Sequence, residues 1–456
     1  MKKQREHWSS RFGFIMAAAG SAIGLGTLWM FPYLTGDNGG GLFVLVYLIA
    51  IIFLGFPIFV SELLLGRYAQ RASVGIFTEF PPQLHRWKII GWFGVAGAFL
   101  IMSYYSVVAG WGLNYILFSA CGSYQGRSME EIKGVFDILL ISGDINIFWH
   151  LIFSFITMSV VYMGVRKGIE HWSRLMTVSL LIMLLGLFVY SLNLDGFSQA
   201  LHFVFYPDLS KLKPSGILEA LGLAFFTLSL GQGVMLTYGS YLKESDDIPQ
   251  TAMIVVVMDV VVSLLAALVI FPMIFTFGFE PNSGPGLIFK VLPVTFSLLP
   301  GSSFISTIFF TLFVFTALTS SIALVEVIVA NFIDLLDWSR KKSCIVVGIL
   351  LFIAGIPSAL SGSQGMFANW ERIYGMNFFD VVNTFVSNWV LPIGGMLTAT
   401  FIGWAMPRDL CFQEFLKGSS WGWLLKPWFF MIRWLAPIAT LLIILHKSGL
   451  FSIDVV

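Results

Sequence analysis

The feature that most constrains this chain is its set of long apolar stretches, of which there are eleven. A bilayer's hydrocarbon core of about 30 Å takes about 20 consecutive apolar residues as a helix. The chain is 57% hydrophobic and 11% charged, a composition outside that of soluble domains. We therefore predict an all-α membrane protein with eleven transmembrane helices in a single domain, residues 1–456. The predicted spans are roughly 12–35, 41–68, 88–122, 146–164, 172–194, 217–241, 250–279, 301–334, 344–360, 376–405 and 421–446.

The charged residues predict an orientation and exclude some partners. Most of the 26 lysines and arginines fall in the alternate loops that lie on the side of the N-terminus. The positive-inside rule then predicts a cytoplasmic N-terminus, and an odd number of spans predicts an external C-terminus. A net charge of +1 that is spread over many loops argues against a nucleic-acid partner. The lipid bilayer is the expected surrounding, and no obligate protein partner is inferred.

Glycines interrupt two of the predicted spans at corresponding places. The first contains Gly20, Gly24 and Gly26, and the sixth contains "GQG" at 231–233. Glycine in a membrane helix commonly serves close packing or a kink. Two interruptions five spans apart instead favour an inverted 5+5 repeat with discontinuous helices 1 and 6. The repeats would cover about residues 12–194 and 217–405, with an extra helix at about 421–446.

Broken helices at membrane depth predict a binding site. Unwound backbone exposes N–H and C=O groups that lipid cannot satisfy, so it must line a cavity. Half-helix N-termini favour a carboxylate and free carbonyls favour a cation, so an amino-acid zwitterion with sodium would satisfy both. Thr316, Thr319 and Ser320 share one face of the eighth span and could add hydroxyl ligands. The alternative is that these hydroxyls bond back to their own helix.

Several carboxylates also lie at or near membrane depth. Asp259 sits inside an apolar run, where an unpaired carboxylate costs about 2.5–3.5 kcal/mol on insertion scales, so we expect it to have a role. Glu62 and Glu326 fit structural pairing, or proton coupling within a transporter. Asp380, at the outer start of the tenth span, fits either a gate charge or a solvated helix end. An intramembrane hydrolase is disfavoured because no histidine lies near the broken segments.

Seven segments carry a resemblance to a known family: "REHWSSRFGFIMAAAGSAIGLG", "FPY", "NGGG", "ELLLGRY", "FFTLSLG", "TYGSYL" and "LTSSIAL". With these segments the chain resembles the neurotransmitter:sodium symporter family, particularly its bacterial amino-acid members with the leucine-transporter fold. The resemblance extends from about residue 5 to residue 446.

The resemblance implies roles for individual residues. The substrate would contact Ala22, Gly24, Gly26, Ile101, Tyr105, Phe226, Thr227, Ser229, Gln232, Ser320 and Leu324. A first sodium site would comprise Ala22, Thr27, Thr227 and Asp259. A second would comprise Gly20, Ile23, Thr316, Thr319 and Ser320. The inner gate would be Arg5 with Asp334, supported by Trp8 and Tyr241, and Asp380 would belong to the outer gate.

Some positions depart from the family pattern. Thr27 and Asp259 stand where asparagines are usual, and a carboxylate at 259 would replace the chloride that animal members require, so chloride independence is predicted. Met30 replaces the arginine of the outer gate, so Asp380 cannot form the usual salt bridge. The glycine-to-proline spacing of the fifth span begins at Gly168 but ends at Val178.

The resulting expectation is a sodium-coupled symporter of the bacterial cytoplasmic (inner) membrane. It would import an amino acid by alternating access, with a hydrophobic or aromatic side chain favoured by the largely apolar frame. Sodium ions are the expected co-substrate. A channel, a sodium-dependent amino-acid receptor without transport, and proton-coupled transport stay open as alternatives.

Overall fold

The structure is a computed structural model, and it describes residues 5–281, 284–363, 367 and 369–448. The described residues form helices and connecting turns, with no strand among them. The helices are α1 (Arg11–Ala22), α2 (Gly26–Asp37), α3 (Gly41–Ala69), α4 (Pro82–Ala120), α5 (Met129–Ile141), α6 (Gly143–Tyr162), α7 (Val165–Ser191), α8 (Phe197–Phe205), α9 (Pro214–Thr227), α10 (Val234–Gly239), α11 (Ile248–Thr276), α12 (Val291–Leu298), α13 (Ser302–Leu336), α14 (Arg340–Leu360), α15 (Trp370–Tyr374), α16 (Phe378–Ala405), α17 (Arg408–Leu416) and α18 (Gly422–Lys447).

Nine of the described helices are long and apolar enough to cross a membrane, and α1 with α2 makes a tenth as one bent span. The sixth predicted span is present as α9, of 14 residues, and α10, of six residues, separated by a break. Neither half alone is long enough to cross a membrane. The all-helical architecture and the broken first helix agree with the sequence, and the count of eleven requires α9 and α10 to be taken together.

The connections contain more helix than the sequence predicted. Residues expected to be loops form α5, α8, α12 and α17, each of 13 residues or fewer. These helices are too short to span a membrane, so a search for long apolar runs misses them. For α5, the signal was present in the sequence: Ser128 and Glu131 form a reciprocal capping box at its start.

The centre of the molecule is the contact between the two longest helices, α4 and α13, which pack along much of their length. Nearly all of the middle of α13 is buried. Small residues allow the close approach: a Cβ at Gly112 of α4 would lie 2.8 Å from Phe313 of α13. The two broken helices lie against α4 and α13, and these two helices are called the wall below.

Candidate functional site

The first broken helix separates at Ile23–Leu25, where α1 and α2 meet at an angle of 48°. Ser10 starts α1 by accepting a hydrogen bond from the Gly13 N–H, whereas the freed Leu25 N–H donates to the Tyr105 hydroxyl at 3.2 Å. Gly24 lies so close to the wall that a Cβ there would be 2.7 Å from Ser320 Oγ. The break is therefore held directly against α4 and α13.

The second break lies between α9 and α10. Three of its residues have left-handed backbone angles: Ser229 at φ +55°, Gly231 at +74° and Gly233 at +76°. Glycine adopts this conformation without a steric penalty, which explains the "GQG" sequence. The Ser229 hydroxyl donates to the Ser21 carbonyl at 2.8 Å, so the two broken helices are joined at their breaks.

The residues of the second predicted sodium site come together where α1 ends against α13. Ser320 Oγ lies 3.4 Å from the Gly20 carbonyl, and Thr319 Oγ1 lies 3.0 Å from the Thr316 carbonyl. A Cβ at Gly20 would lie 3.1 Å from the Thr319 side chain. Both hydrogen bonds of the Thr319 hydroxyl, to the Thr316 and Phe315 carbonyls, are to its own helix. Thr316 likewise donates to the Leu312 carbonyl, so these two hydroxyls bond as the alternative interpretation expected, and the Ser320 hydroxyl is the one that bonds to α1. Ile23 is fully buried at the end of α1.

The first predicted sodium site is a buried cluster of oxygen atoms around Asp259. Thr27 Oγ1 donates to one carboxylate oxygen at 2.9 Å, and the Tyr47 hydroxyl lies 3.2 Å from the other. The same hydroxyl lies 3.2 Å from Thr227 Oγ1 and 3.3 Å from Ser263 Oγ. The Ala22 carbonyl, at the edge of the break, accepts from the Gly24 N–H.

Both clusters consist of carbonyl, hydroxyl and carboxylate oxygens. Among the described residues there is no group of three or more His, Cys, Asp or Glu side chains that could hold a transition metal. Hard cations prefer oxygen ligands, whereas zinc and copper prefer nitrogen and sulfur. The donor set of each cluster therefore fits a hard monovalent cation such as sodium.

The predicted substrate contacts line one face of the wall. Gly97 of α4 lies against Gln232, and Ile101 and Tyr105 follow one and two helical turns later. On α13, Leu324 lies one turn beyond Ser320. The Phe226 ring packs over Gly26, where a Cβ would be 2.7 Å from Phe226 Cδ1. These side chains are buried, except for Phe226, which is partly exposed.

The N-terminal segment closes one end of the site. Arg5 Nη1 lies 2.9 and 2.7 Å from the two Asp334 oxygens, and Arg5 also donates to Ser240 Oγ. The guanidinium lies 4.8 Å from the centre of the Tyr241 ring. Trp8 Nε1 donates to the Tyr238 carbonyl at 3.1 Å. These contacts connect the segment before α1 to α10 and α13.

The opposite end opens into a cavity of about 190 Å³ above the Phe226 ring. Met30, Glu219 and Lys447 contribute to its walls. Asp380 is not among the residues that line it. Its carboxylate accepts from Asn377 Nδ2 at 2.7 Å, and the Asp380 N–H donates to the Asn377 side chain, so Asp380 forms part of the N-terminal cap of α16.

Sequence reasoning missed two contributors to this region. The Ser21 carbonyl accepts from Ser320 as well as from Ser229, and the Leu25 N–H is a backbone group that no motif identifies. Glu62, for which the sequence favoured a structural role, accepts from the Gly231 N–H through Oε1 at 2.9 Å and so supports the second break.

One buried histidine, His150, lies behind the wall, and its hydrogen-bond partners belong to neither break. His150 Nδ1 lies 2.8 Å from Ser106 Oγ, beside Tyr105 on α4. Its Nε2 lies 3.0 Å from the Phe352 carbonyl, and Ser106 donates to the Met102 carbonyl. The pair is buried among backbone partners and links α4, α6 and α14.

Comparison with known proteins gives a consistent assignment. The model of the sodium:neurotransmitter symporter family matches residues 5–124 and 126–452. The chain is 40% identical over 446 residues to the uncharacterized sodium-dependent transporter YhdH of Bacillus subtilis, covering 98% of each protein. It is 33% identical to an uncharacterized sodium-dependent transporter of Haemophilus influenzae, covering 98% of this chain and 99% of that protein.

A crystal structure of MhsT in complex with L-phenylalanine superimposes with a TM-score of 0.88 at 41% identity, covering 97% of this chain and 99% of MhsT. MhsT has the leucine-transporter fold, and the same fold is present here. The predicted family and fold are thus confirmed. This chain is a sodium-dependent transporter that belongs to the sodium:neurotransmitter symporter family.

Proposed function

We propose that this protein imports a hydrophobic or aromatic amino acid together with sodium across the bacterial cytoplasmic membrane. The N-terminus would be cytoplasmic and the C-terminus external, as the distribution of lysine and arginine predicts. The observation that carries the proposal is the junction of the two helix breaks at Ser21 and Ser229, with oxygen clusters on either side of it.

The junction contains donors that suit the carboxylate of a zwitterion and oxygen atoms that suit a cation. The Leu25 N–H, at the start of α2, and the Tyr105 hydroxyl are donors suited to a substrate carboxylate. The Thr27 and Asp259 oxygens lie nearby, on the far side of the same break. A carboxylate bound between these groups would become a ligand of the first sodium ion. Sodium and substrate would then each complete the site of the other, which is the basis of coupling.

The side-chain pocket supports a hydrophobic or aromatic substrate. Ile101, Phe226 and Leu324 supply apolar surface, and Gln232 is the polar exception. The complex of MhsT with L-phenylalanine, at 41% identity, supports the same class of substrate.

One end of the site is closed and the other end opens into a cavity, which supports alternating access. The Arg5–Asp334 network closes the side of the N-terminus, while the cavity above Phe226 lies at the opposite end. One charge moving through 100 mV supplies about 2.3 kcal/mol, and a tenfold sodium gradient adds about 1.4 kcal/mol. Their sum supports a substrate gradient of about 500-fold for each coupled ion.

The Asp259 cluster supports transport without chloride. The carboxylate provides a fixed negative charge next to Tyr47 and Ser263, at positions where the family resemblance implies a chloride site. A negative charge held by the protein itself would balance the sodium charge, so a chloride ion would not be required.

The test is uptake of labelled L-phenylalanine into proteoliposomes with an inward sodium gradient, in sodium gluconate and in sodium chloride. We expect accumulation above equilibrium in both salts and none when choline replaces sodium. Sodium-dependent binding without accumulation would instead identify a receptor, and uptake that follows a pH gradient without sodium would identify proton coupling. A parallel set of labelled amino acids would define the substrate class.

A further inference from the structure

A second cavity, of about 410 Å³, lies between α17 and α18, away from the substrate site. Three cationic side chains line it, and the rest of its lining is aromatic. The lining residues are Arg408, Phe412, Lys426, Phe429, Phe430, Arg433 and Trp434. No carboxylate is among them, so the cavity concentrates positive charge on an aromatic surface.

Arg433 is the unusual member of this group because it lies inside a predicted span. It follows the first residue of α18 by 11 positions, which is about 16 Å along a helix. Its guanidinium lies 4.4 Å from the ring centre of Trp404 and 5.7 Å from that of Trp434. Within the part of the chain that the structure describes, no ion pair joins Arg433 to a carboxylate. Cations at membrane depth are rare and normally have a partner.

At Arg433, the backbone of α18 lies very close to that of α16. A Cβ at Gly403 would lie 2.8 Å from Arg433 Cα, so only glycine allows α18 to pack here against α16. Both contact segments are π-helical, at Phe401–Ala405 and Met431–Leu435. They are two of six π-helical segments among the described residues, so the close approach at Gly403, and not the helix type, distinguishes this contact. The Trp404 indole N–H donates to the Arg433 carbonyl at 2.9 Å and fixes the contact.

The cavity lies towards the face that carries the N-terminal segment. Glu414 of α17 pairs with Arg67, and Arg67 also donates to the Asp246 carbonyl in the turn that follows α10. Asp246 shares a small cavity with Trp8. Because Cβ atoms in a helix tilt towards its N-terminus, the Arg433 side chain leans towards the same face as Arg408 and Lys426. In the proposed orientation, this is the inner leaflet.

We propose that this cavity binds the headgroup of an anionic phospholipid of the inner leaflet. The phosphodiester lies between the guanidinium groups of Arg433 and Arg408, which suit phosphate oxygens as paired donors. Lys426 adds a third positive charge. The acyl chains run along Phe430 and Trp434, which are 63% and 45% exposed. Basic pockets between membrane helices on the cytoplasmic side have the chemistry to bind such headgroups.

The test is native mass spectrometry of the purified full chain in detergent, titrated with phosphatidylglycerol or phosphatidylcholine. We expect wild-type protein to bind phosphatidylglycerol at least about fivefold more tightly, since each basic residue near an anionic lipid contributes about that factor. Arg433→Gln and Arg408→Gln should each weaken phosphatidylglycerol binding by about tenfold. Lys342→Gln is the matched control, because it removes a cation stacked on Trp338, 3.9 Å from the ring centre, outside the cavity.

Equal binding of the two lipids, or equal losses in Arg433→Gln and Lys342→Gln, would overturn the proposal. Displacement of phosphatidylglycerol by millimolar inorganic phosphate would also overturn it, because the site would then recognise free phosphate. If Arg433→Gln does not fold, Arg408→Gln decides the question, since Arg408 is exposed at the start of α17. Each variant is first checked for a monodisperse elution profile and wild-type helicity.

Discussion

At the scale of single residues, the proposed first sodium site has one negatively charged side chain, that of Asp259. Asp259 is completely buried, and its described partners are hydroxyls: Thr27 donates to it and Tyr47 lies beside it. A buried carboxylate surrounded by neutral donors is stabilised when a cation binds next to it. The residue that departs most from the family pattern is thus the one best placed to balance sodium.

Asp259→Asn should therefore weaken sodium affinity, because the amide keeps the shape of the side chain but removes its charge. The expected loss is at least about tenfold, the factor contributed by a charged hydrogen-bonding partner. Sodium-dependent binding of labelled L-phenylalanine, measured in gluconate and then in chloride, checks this. Ser263→Ala is the control, since it removes a neighbour of Tyr47 without changing the charge. Unchanged sodium affinity in Asp259→Asn would show that Asp259 is not part of the sodium site.

Gly24 provides a second test at this scale. A Cβ there would lie 2.7 Å from Ser320 Oγ and 3.4 Å from the Tyr105 hydroxyl, both at the break. Gly24→Ala should reduce L-phenylalanine binding by at least about tenfold while the protein stays folded. Gly186→Ala in α7 is the matched control, because nothing lies within 4 Å of its Cβ position. Equal binding by the two variants would show that the first break does not contact the substrate.

At the scale of helices, α3 supports the break in the sixth span. Glu62 Oε1 accepts from the Gly231 N–H, a group that has no helical partner because the chain is unwound there. Glu62→Ala leaves this buried N–H unsatisfied, at a cost of about 1–3 kcal/mol, whereas Glu62→Gln keeps an acceptor. We expect the alanine variant to lose substrate binding and thermal stability and the glutamine variant to retain both. Equal losses would mean that the charge of Glu62, and not its hydrogen bond, is needed.

Helix breaks were more predictable from the sequence than helix contacts. Gly24, Gly26 and "GQG" identify both breaks because left-handed or tightly approached backbone favours glycine. The meeting of the breaks through the Ser21 carbonyl could not be predicted, since it depends on which way a backbone oxygen points. The sequence shows Arg433 as an arginine in the last predicted span. It does not show which aromatic rings Arg433 contacts, because these lie on both α16 and α18.

At the scale of the whole molecule, alternating access requires that the two ends of the site open at different times. At the end that the proposed orientation places inside, Arg5 contacts Asp334 of α13 and Ser240 next to α10. Asp334 also accepts from the Ala72 N–H, so the same carboxylate holds the turn after α3. One ion pair thus joins three parts of the chain, and its loss should release the N-terminal segment as a unit.

Arg5→Ala should therefore shift the protein towards an inward-open state. Without the guanidinium, the segment before α1 loses its ion pair with α13, and we expect an opening constant about tenfold higher, the factor expected for a charged hydrogen bond. Hydrogen–deuterium exchange measures this as faster uptake in Arg11–Ala22 and Val234–Gly239, because local opening exposes their amides. Sodium with L-phenylalanine should slow that uptake in wild-type protein. The control is Arg71→Gln, which removes an exposed ion pair with Glu79 near the same turn and should leave uptake in both segments unchanged. If Arg5→Ala exchanges no faster than Arg71→Gln, the Trp8 contacts alone hold the inner end closed, and Arg5 is not its gate.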